Sequence, residues 1–209
     1  MPDARPLSGV PAGTLARSVR RALGSRSLVM VGMMGCGKTA VGRRLATALE
    51  LKFIDADDEI ETAADMSISE IFTSLGEQHF RDGEKRVIAR LLAGGPQVLA
   101  TGGGAFMNAE TRTRIAATGI SVWLRAEFAI LMRRVSRRDN RPLLKTPNPE
   151  ARMRELIAAR YPTYALADIT IDSREIAHDL VVGEILEKLR TGPLAAELAK
   201  ASDATKDRA

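Results

Sequence analysis

Gly32-Met-Met-Gly-Cys-Gly-Lys38-Thr39 is the segment of this chain that most restricts how it can fold. It satisfies G-x-x-x-x-G-K-[ST] in full, and its surroundings suit the pattern. Before it stands Ser27-Leu-Val-Met-Val-Gly32, an unbroken apolar run of the kind buried on both faces of a parallel sheet. After it, Val41, Leu45, Ala48 and Leu49 recur at helical spacing. A strand, a glycine-rich turn and a helix in that order let successive backbone N–H groups face inward around phosphate oxygens. The positive end of the helix adds to the attraction. In such a loop Lys38 reaches the β- and γ-phosphates of a nucleoside triphosphate and the Thr39 hydroxyl holds Mg²⁺. Gly35, Cys36, Gly37, Lys38, Thr39 and Ala40 are therefore the candidate nucleotide-binding residues. Cys36 reads as a small residue filling the loop in preference to a redox-sensitive thiol.

The rest of the chain keeps the same alternation. Strands are expected at Lys52 to Asp55, Gln97 to Thr101, Ile120 to Leu124 and Asp168 to Ile171. Helices are expected at Asp57 to Leu75, Gln78 to Leu92, from an Asn108 cap to Thr118, at Glu127 to Arg134, in a long stretch ending near Tyr161, and at Glu175 to Leu189. Strands alternating with helices imply an α/β domain on a parallel sheet with crossovers of the usual hand. The spacing places this domain over residues 27–190.

Composition excludes several other classes. At 45% hydrophobic and 27% charged residues the chain is of ordinary globular type. One cysteine and two histidines allow neither a disulfide framework nor a Cys/His zinc site. No apolar run approaches the ~18 residues of a membrane span, and the amino end lacks a signal-peptide core, so a cytoplasmic location is expected. The net charge of +5 belongs mostly to that end, where Arg5, Arg17, Arg20, Arg21 and Arg26 face Asp3 as the single acid. The remainder is nearly neutral, without the electrostatic footprint of a nucleic-acid binder. Residues 1–26 read as a basic, disordered extension with at most a short helix around Leu15 to Leu23; a transit peptide is the alternative. Residues 191–209 read as a flexible tail.

Several residues carry chemistry. Asp55 and Asp57 end the second strand, where ligands of open α/β sheets collect. Two apart, their side chains diverge, one toward a metal and the other toward a substrate hydroxyl. The other reading, in which Asp55, Asp57, Asp58 and Glu59 merely start a helix, stands beside it. Gly102-Gly103-Gly104 after the third strand permits close backbone approach to a ligand. Arg81 and Arg160, taken singly, read as solvated, and His79 and His178 as structural or surface residues. Arg133, Arg134, Arg137, Arg138 and Arg141 crowd a segment whose stretch to Pro149 has no aromatic residue, which favours a lid bringing cations to a triphosphate over a nucleic-acid contact.

The ordered set is more specific than any member of it. The phosphate loop, Phe53-Ile-Asp55-Ala-Asp57, Gly76-Glu-x-x-Phe-Arg81-x-x-Glu84, Gly102-Gly103-Gly104, Arg141-Pro-Leu-Leu144 and Arg160-Tyr-Pro-x-Tyr164 resemble the shikimate kinase family from about Ser27 to Leu189. The resemblance implies a three-layer P-loop kinase fold, with a five-stranded parallel sheet of order 2-3-1-4-5 flanked by helices and a mobile lid. It implies ATP-dependent phosphorylation of the 3-hydroxyl of shikimate, giving shikimate 3-phosphate and ADP on the way to chorismate and the aromatic amino acids. By the same resemblance Lys38, Asp57 and Arg141 are catalytic, Asp57 holding substrate hydroxyls. Arg81 and Arg160 bind the shikimate carboxylate, with the backbone at Gly102 and Gly103 against the ring. Arg134 lies against adenine, Arg141 joins the ATP phosphates, and Thr39 with Asp55 supports Mg²⁺. Shikimate and ATP are the expected partners, with no nucleic acid or membrane, and the chain is expected to be a monomer. Two positions depart from the family pattern: Ile176-Ala-His-Asp179 lacks the proline many members carry beside adenine, and Phe106 stands where a smaller aliphatic residue is commoner. A gluconate-type kinase and a nucleotide-binding regulator with a basic arm are the alternatives.

Overall fold

The computed structural model describes residues 12–136 and 146–206; Arg137, Arg138 and Arg141, and with them most of the expected lid, lie outside the described residues. In chain order α1 (Ala12–Leu23), β1 (Ser27–Val31), α2 (Lys38–Ala48), β2 (Lys52–Asp55), α3 (Ala56–Ala64), α4 (Ile68–Ser74), α5 (Gly76–Ala93) and β3 (Gln97–Ala100) come first. A single 3-10 turn (Ala105–Met107) follows, then α6 (Ala109–Thr118), β4 (Gly119–Arg125), α7 (Phe128–Val135), α8 (Pro149–Tyr164), β5 (Ile169–Asp172), α9 (His178–Thr191) and α10 (Ala195–Lys206). The strands form one parallel sheet in the order β2-β3-β1-β4-β5. All five residues of β1 are buried, as its unbroken apolar run requires of a central strand. Because every strand runs the same way, the loops after β1, β2 and β3 gather at one edge of the sheet, which is where the candidate residues sit.

Three segments depart from the sequence expectation. The helix expected from Asp57 to Leu75 is two helices. Asp65 takes a left-handed backbone (φ 51°), and Ser67 starts α4 with a capping box. The Ser67 hydroxyl accepts from the Glu70 N–H (3.2 Å) while the Glu70 carboxylate accepts from the Ser67 N–H (2.8 Å). The break lets Ile71 of α4 meet Ile60 of α3 and Phe80 of α5 in a small apolar cluster separate from the main core.

The amino-terminal arm, expected to be disordered apart from at most a short helix around Leu15 to Leu23, is helical over Ala12–Leu23. Leu15, Val19 and Leu23 fall four apart on one side of α1 and are buried in the main core, while Arg17 and Arg21 are exposed. The arm's overall composition conceals this one-sided stripe. The carboxyl-terminal tail is likewise not frayed over its described part: Leu194 is fully buried, and the Glu197 carboxylate of α10 accepts from Arg26 at 2.8 Å. Removing residues 1–26 is therefore expected to lower the thermal midpoint by about 10–20 °C, because burying Leu15, Val19 and Leu23 contributes roughly 2 kcal/mol each. Calorimetry of the truncated chain checks this, and an unchanged midpoint would leave the stripe without energetic weight.

Candidate active site

On the phosphate side, the loop after β1 is shaped by glycines at positive φ. Gly32 (φ 137°) has no room for a side chain, since a Cβ there would lie 2.7 Å from the Leu124 carbonyl oxygen. Gly37 (φ 100°) precedes α2, and among the described residues no side chain caps that helix, so its first N–H groups face the loop. The Lys38 Nζ folds back to donate to the carbonyls of Gly32 (2.8 Å) and Met33 (3.1 Å). Cys36 is fully buried under the loop. Arg134 of α7 donates from Nη1 to the carbonyls of Gly35 (3.3 Å) and Cys36 (3.4 Å) and to the Ser173 hydroxyl (2.9 Å), and from Nη2 to the Arg174 carbonyl (3.1 Å). In this structure it straps the phosphate loop to the turn after β5.

Of the two readings of the acids after β2, the helix start is observed, and Asp55 in addition reaches the phosphate loop. Asp55 caps α3, its Oδ1 accepting from the Asp57 N–H (3.2 Å), while its Oδ2 accepts from the Thr39 hydroxyl (2.9 Å). Asp55 and Thr39 thus present hard oxygen donors beside Lys38. Among the described residues there is no group of three or more metal-ligating side chains. A site offering one or two protein oxygens, with phosphate and water to complete it, suits Mg²⁺, so these residues fit the ion. Lys38, Thr39, Ala40, Gly35 and Gly37 line a cleft of about 340 Å³, with Arg134 and His178 also on its wall. His178, read from sequence as a structural or surface residue, opens α9 there; its isolation in the sequence gave no signal of a place on the cleft wall.

A second cleft of about 510 Å³ holds the other candidates. Arg81 of α5 is half-buried and ion-paired rather than freely solvated: its Nη1 donates to Glu84 (2.9 Å), and its Nε and Nη2 to Glu77 (3.2 and 2.9 Å). Arg160 of α8 is 8% exposed and donates from Nη1 to the Gly103 carbonyl (3.1 Å). Glu84 is buried; burial pushes its carboxyl above the ordinary range, against the pull of the Arg81 guanidinium, and its Oε1 has no hydrogen-bond partner among the described residues. The i, i+3 spacing of Arg81 and Glu84 was the available signal for this pair. Met34, Asp55, Asp57, Gly102 and Gly103 line both clefts, so the phosphate and arginine sides open into one another beside Asp57.

Each glycine of the triplet makes room for a different partner. A Cβ on Gly102 would lie 2.6 Å from Glu84 Oε1 and 2.9 Å from Asp57 Oδ1. On Gly103 it would lie 3.3 Å from Arg160 Nη1, and on Gly104 2.3 Å from Arg81 Nη1. Gly104 has φ −98°, which any residue adopts, so the guanidinium is what keeps a side chain out. If Arg81 has the carboxylate-binding role that the resemblance implies, Gly104→Ala is expected to fold normally and to raise the KM of the acid acceptor about 10- to 100-fold, with ATP little affected. Steady-state kinetics check it; an unchanged acid KM would mean that Arg81 can shift at no cost.

The family model described as shikimate kinase matches residues 34–190. The chain belongs to the shikimate kinase family. A shikimate kinase of Bradyrhizobium diazoefficiens is 60% identical over 169 residues, 81% of this chain and 82% of that one. One from Rhodopseudomonas palustris is 57% identical over 185 residues, covering 86% and 91%. Among solved structures, the shikimate kinase from Acinetobacter baumannii in complex with shikimate aligns with a TM-score of 0.79 at 37% identity, covering 83% of this chain and 97% of that one. A gluconokinase from Sinorhizobium meliloti, at 19% identity and a TM-score of 0.57, shares the fold. Within the shikimate kinase frame the sheet order is the one the resemblance implies.

Proposed function

We propose that this chain transfers the γ-phosphate of ATP to the 3-hydroxyl of shikimate, yielding shikimate 3-phosphate and ADP on the route to chorismate and the aromatic amino acids. The observation that carries the reading is the convergence of Arg81 and Arg160 on the Gly103–Gly104 turn, in a cleft that opens beside Asp57 onto the phosphate loop.

Two guanidiniums present forked donors that match a carboxylate, anchoring the acid end of the acceptor. Asp57 accepts a hydrogen bond from the attacking hydroxyl and aims its oxygen along the line of the γ-phosphate; little more is asked of a base in a loose phosphoryl-transfer transition state. Lys38 exchanges the Gly32 and Met33 carbonyls for the β- and γ-phosphate oxygens, and the α2 N–H groups cradle them. Thr39 and Asp55 would hold Mg²⁺, which when bound neutralises charge on the phosphates. Arg141 is assigned to the phosphates and Arg134 to the base side by resemblance. The bacterial cytoplasm is the proposed compartment and a monomer the proposed state. Among the described residues no helix is long and apolar enough to cross a membrane.

Phosphorus–proton NMR of the product tests the reading. A phosphate coupled to H3 of shikimate is expected, with formation abolished by EDTA and restored by Mg²⁺. Phosphate on another hydroxyl, or none transferred to shikimate, would overturn it.

A further inference from the structure

The Gly103 carbonyl oxygen accepts two hydrogen bonds from α8, one from Arg160 Nη1 at 3.1 Å and one from the Tyr164 hydroxyl. Arg160 and Tyr164 are four residues apart, so both face the same side of the helix. Tyr164 is fully buried among Phe106, Trp123 and Tyr161, with ring centroids 6.4, 5.9 and 6.3 Å away. Filling that space needs only a phenyl ring. A hydroxyl buried there costs free energy unless it is bonded, and its partner is the turn on which both substrate-facing arginines rest.

Three successive glycines have no side chains with which to hold themselves in place. The peptide between Gly103 and Gly104 is trans, so the direction of the Gly103 carbonyl also sets that of the Gly104 N–H, pointing the opposite way. Gly104 is the surface against which the Arg81 guanidinium lies. The Tyr164 hydroxyl therefore shares with Arg160 the fixing of the peptide that separates the two arginines. When Arg160 turns its donors to a bound carboxylate, Tyr164 still holds the carbonyl. Burial pushes the Tyr164 phenol well above its ordinary range, so it remains a donor at every working pH.

We propose that Tyr164 is a positioning residue for acid recognition: acting through the Gly103 carbonyl, it keeps Arg160 and Arg81 in register for the carboxylate of the acceptor. The proposal rests on the reading of shikimate as that acceptor.

Tyr164→Phe in the full chain tests it, with Tyr161→Phe as the control. Tyr161 belongs to the same aromatic cluster, but its hydroxyl donates to the Ala126 carbonyl, away from Gly103. Shikimate and ATP affinities can be read without turnover from the fluorescence of Trp123, the chain's only tryptophan, which packs 5.1 Å from Tyr161 and against Gly32. Tyr164→Phe is expected to raise the Kd and KM of shikimate about tenfold, leaving the Kd of ATP and kcat within about twofold. Tyr161→Phe is expected to lower the thermal midpoint without changing shikimate affinity. Wild-type shikimate affinity in Tyr164→Phe, or equal weakening of shikimate and ATP, would overturn the positioning role. A wild-type chain that neither binds nor phosphorylates shikimate would instead overturn the substrate reading.

Discussion

Lys38→Ala is expected to lower kcat about 1,000-fold with shikimate and ATP, the size of effect seen when one preorganised donor to transition-state charge is removed. The loss should be the same with any acceptor, because Lys38 acts on the phosphates and not on the acid. The resting contacts add a second expectation. Lys38 Nζ donates to the Gly32 and Met33 carbonyls, so the alanine variant leaves the Gly32 carbonyl without that donor, at about 1–3 kcal/mol, while the Met33 carbonyl keeps the Cys36 N–H. The thermal midpoint should fall by several degrees while the far-ultraviolet spectrum stays native. Turnover within tenfold of wild type would contradict the assignment of Lys38 to the phosphates.

Arg81→Ala is expected to raise the KM of shikimate about 100-fold, since charge-assisted hydrogen bonds are worth about 1.5–3 kcal/mol each, with the KM of ATP within about twofold. Equal losses for both ligands would count against the assigned role. The same variant strands Glu84, whose side chain is 4% exposed and bonded to Arg81. Burial already holds the Glu84 carboxyl above its ordinary value of 4.5, and the lost guanidinium removes the opposing pull. Below that value the carboxyl is protonated in both the folded and unfolded chain, and its contribution to stability is fully present. Above it the unfolded chain ionises freely in water while the folded carboxyl still holds its proton, so the contribution is lost as pH rises through the folded-state value. The stability gap between wild type and Arg81→Ala should therefore widen from about pH 4 to pH 8, as denaturant titrations at a series of pH values would show. Adding Glu84→Gln should narrow the gap at pH 8 without restoring shikimate binding. A gap independent of pH would mean that Glu84 is not the residue stranded.

What could be read from the sequence depended on how far apart the interacting residues lie in it. The phosphate loop is a contiguous motif whose backbone geometry its own glycines dictate, and the apolar runs of β1, β3 and β4 mark the three inner strands because a parallel sheet buries both of their faces. Arg81 and Arg160 gave no such signal singly. They meet only because α5 and α8 flank the turn after β3, a fact of tertiary packing that the ordered family motifs carried and residue spacing did not. Similarly, Ser67-x-x-Glu70 holds a capping box that the longer helical periodicity across Asp57 to Leu75 obscured. In α1 the short helix expected around Leu15 to Leu23 is present, but its packing into the core was not expected. A composition rich in Arg, Gly and Ser suggested disorder, whereas Leu15, Val19 and Leu23 at four-residue spacing already described a buried face. Tyr164 was visible only as a letter in a motif, since its role depends on the direction of one carbonyl 61 residues away.

The most direct test of the central claim is coupled ADP release from the purified chain with ATP and Mg²⁺, run in parallel with shikimate, with gluconate and with no acceptor. The account predicts turnover of about 1–100 s⁻¹ with shikimate and background rates in the other two reactions. Equal or faster turnover with gluconate, or ATP binding without turnover on shikimate, would contradict it.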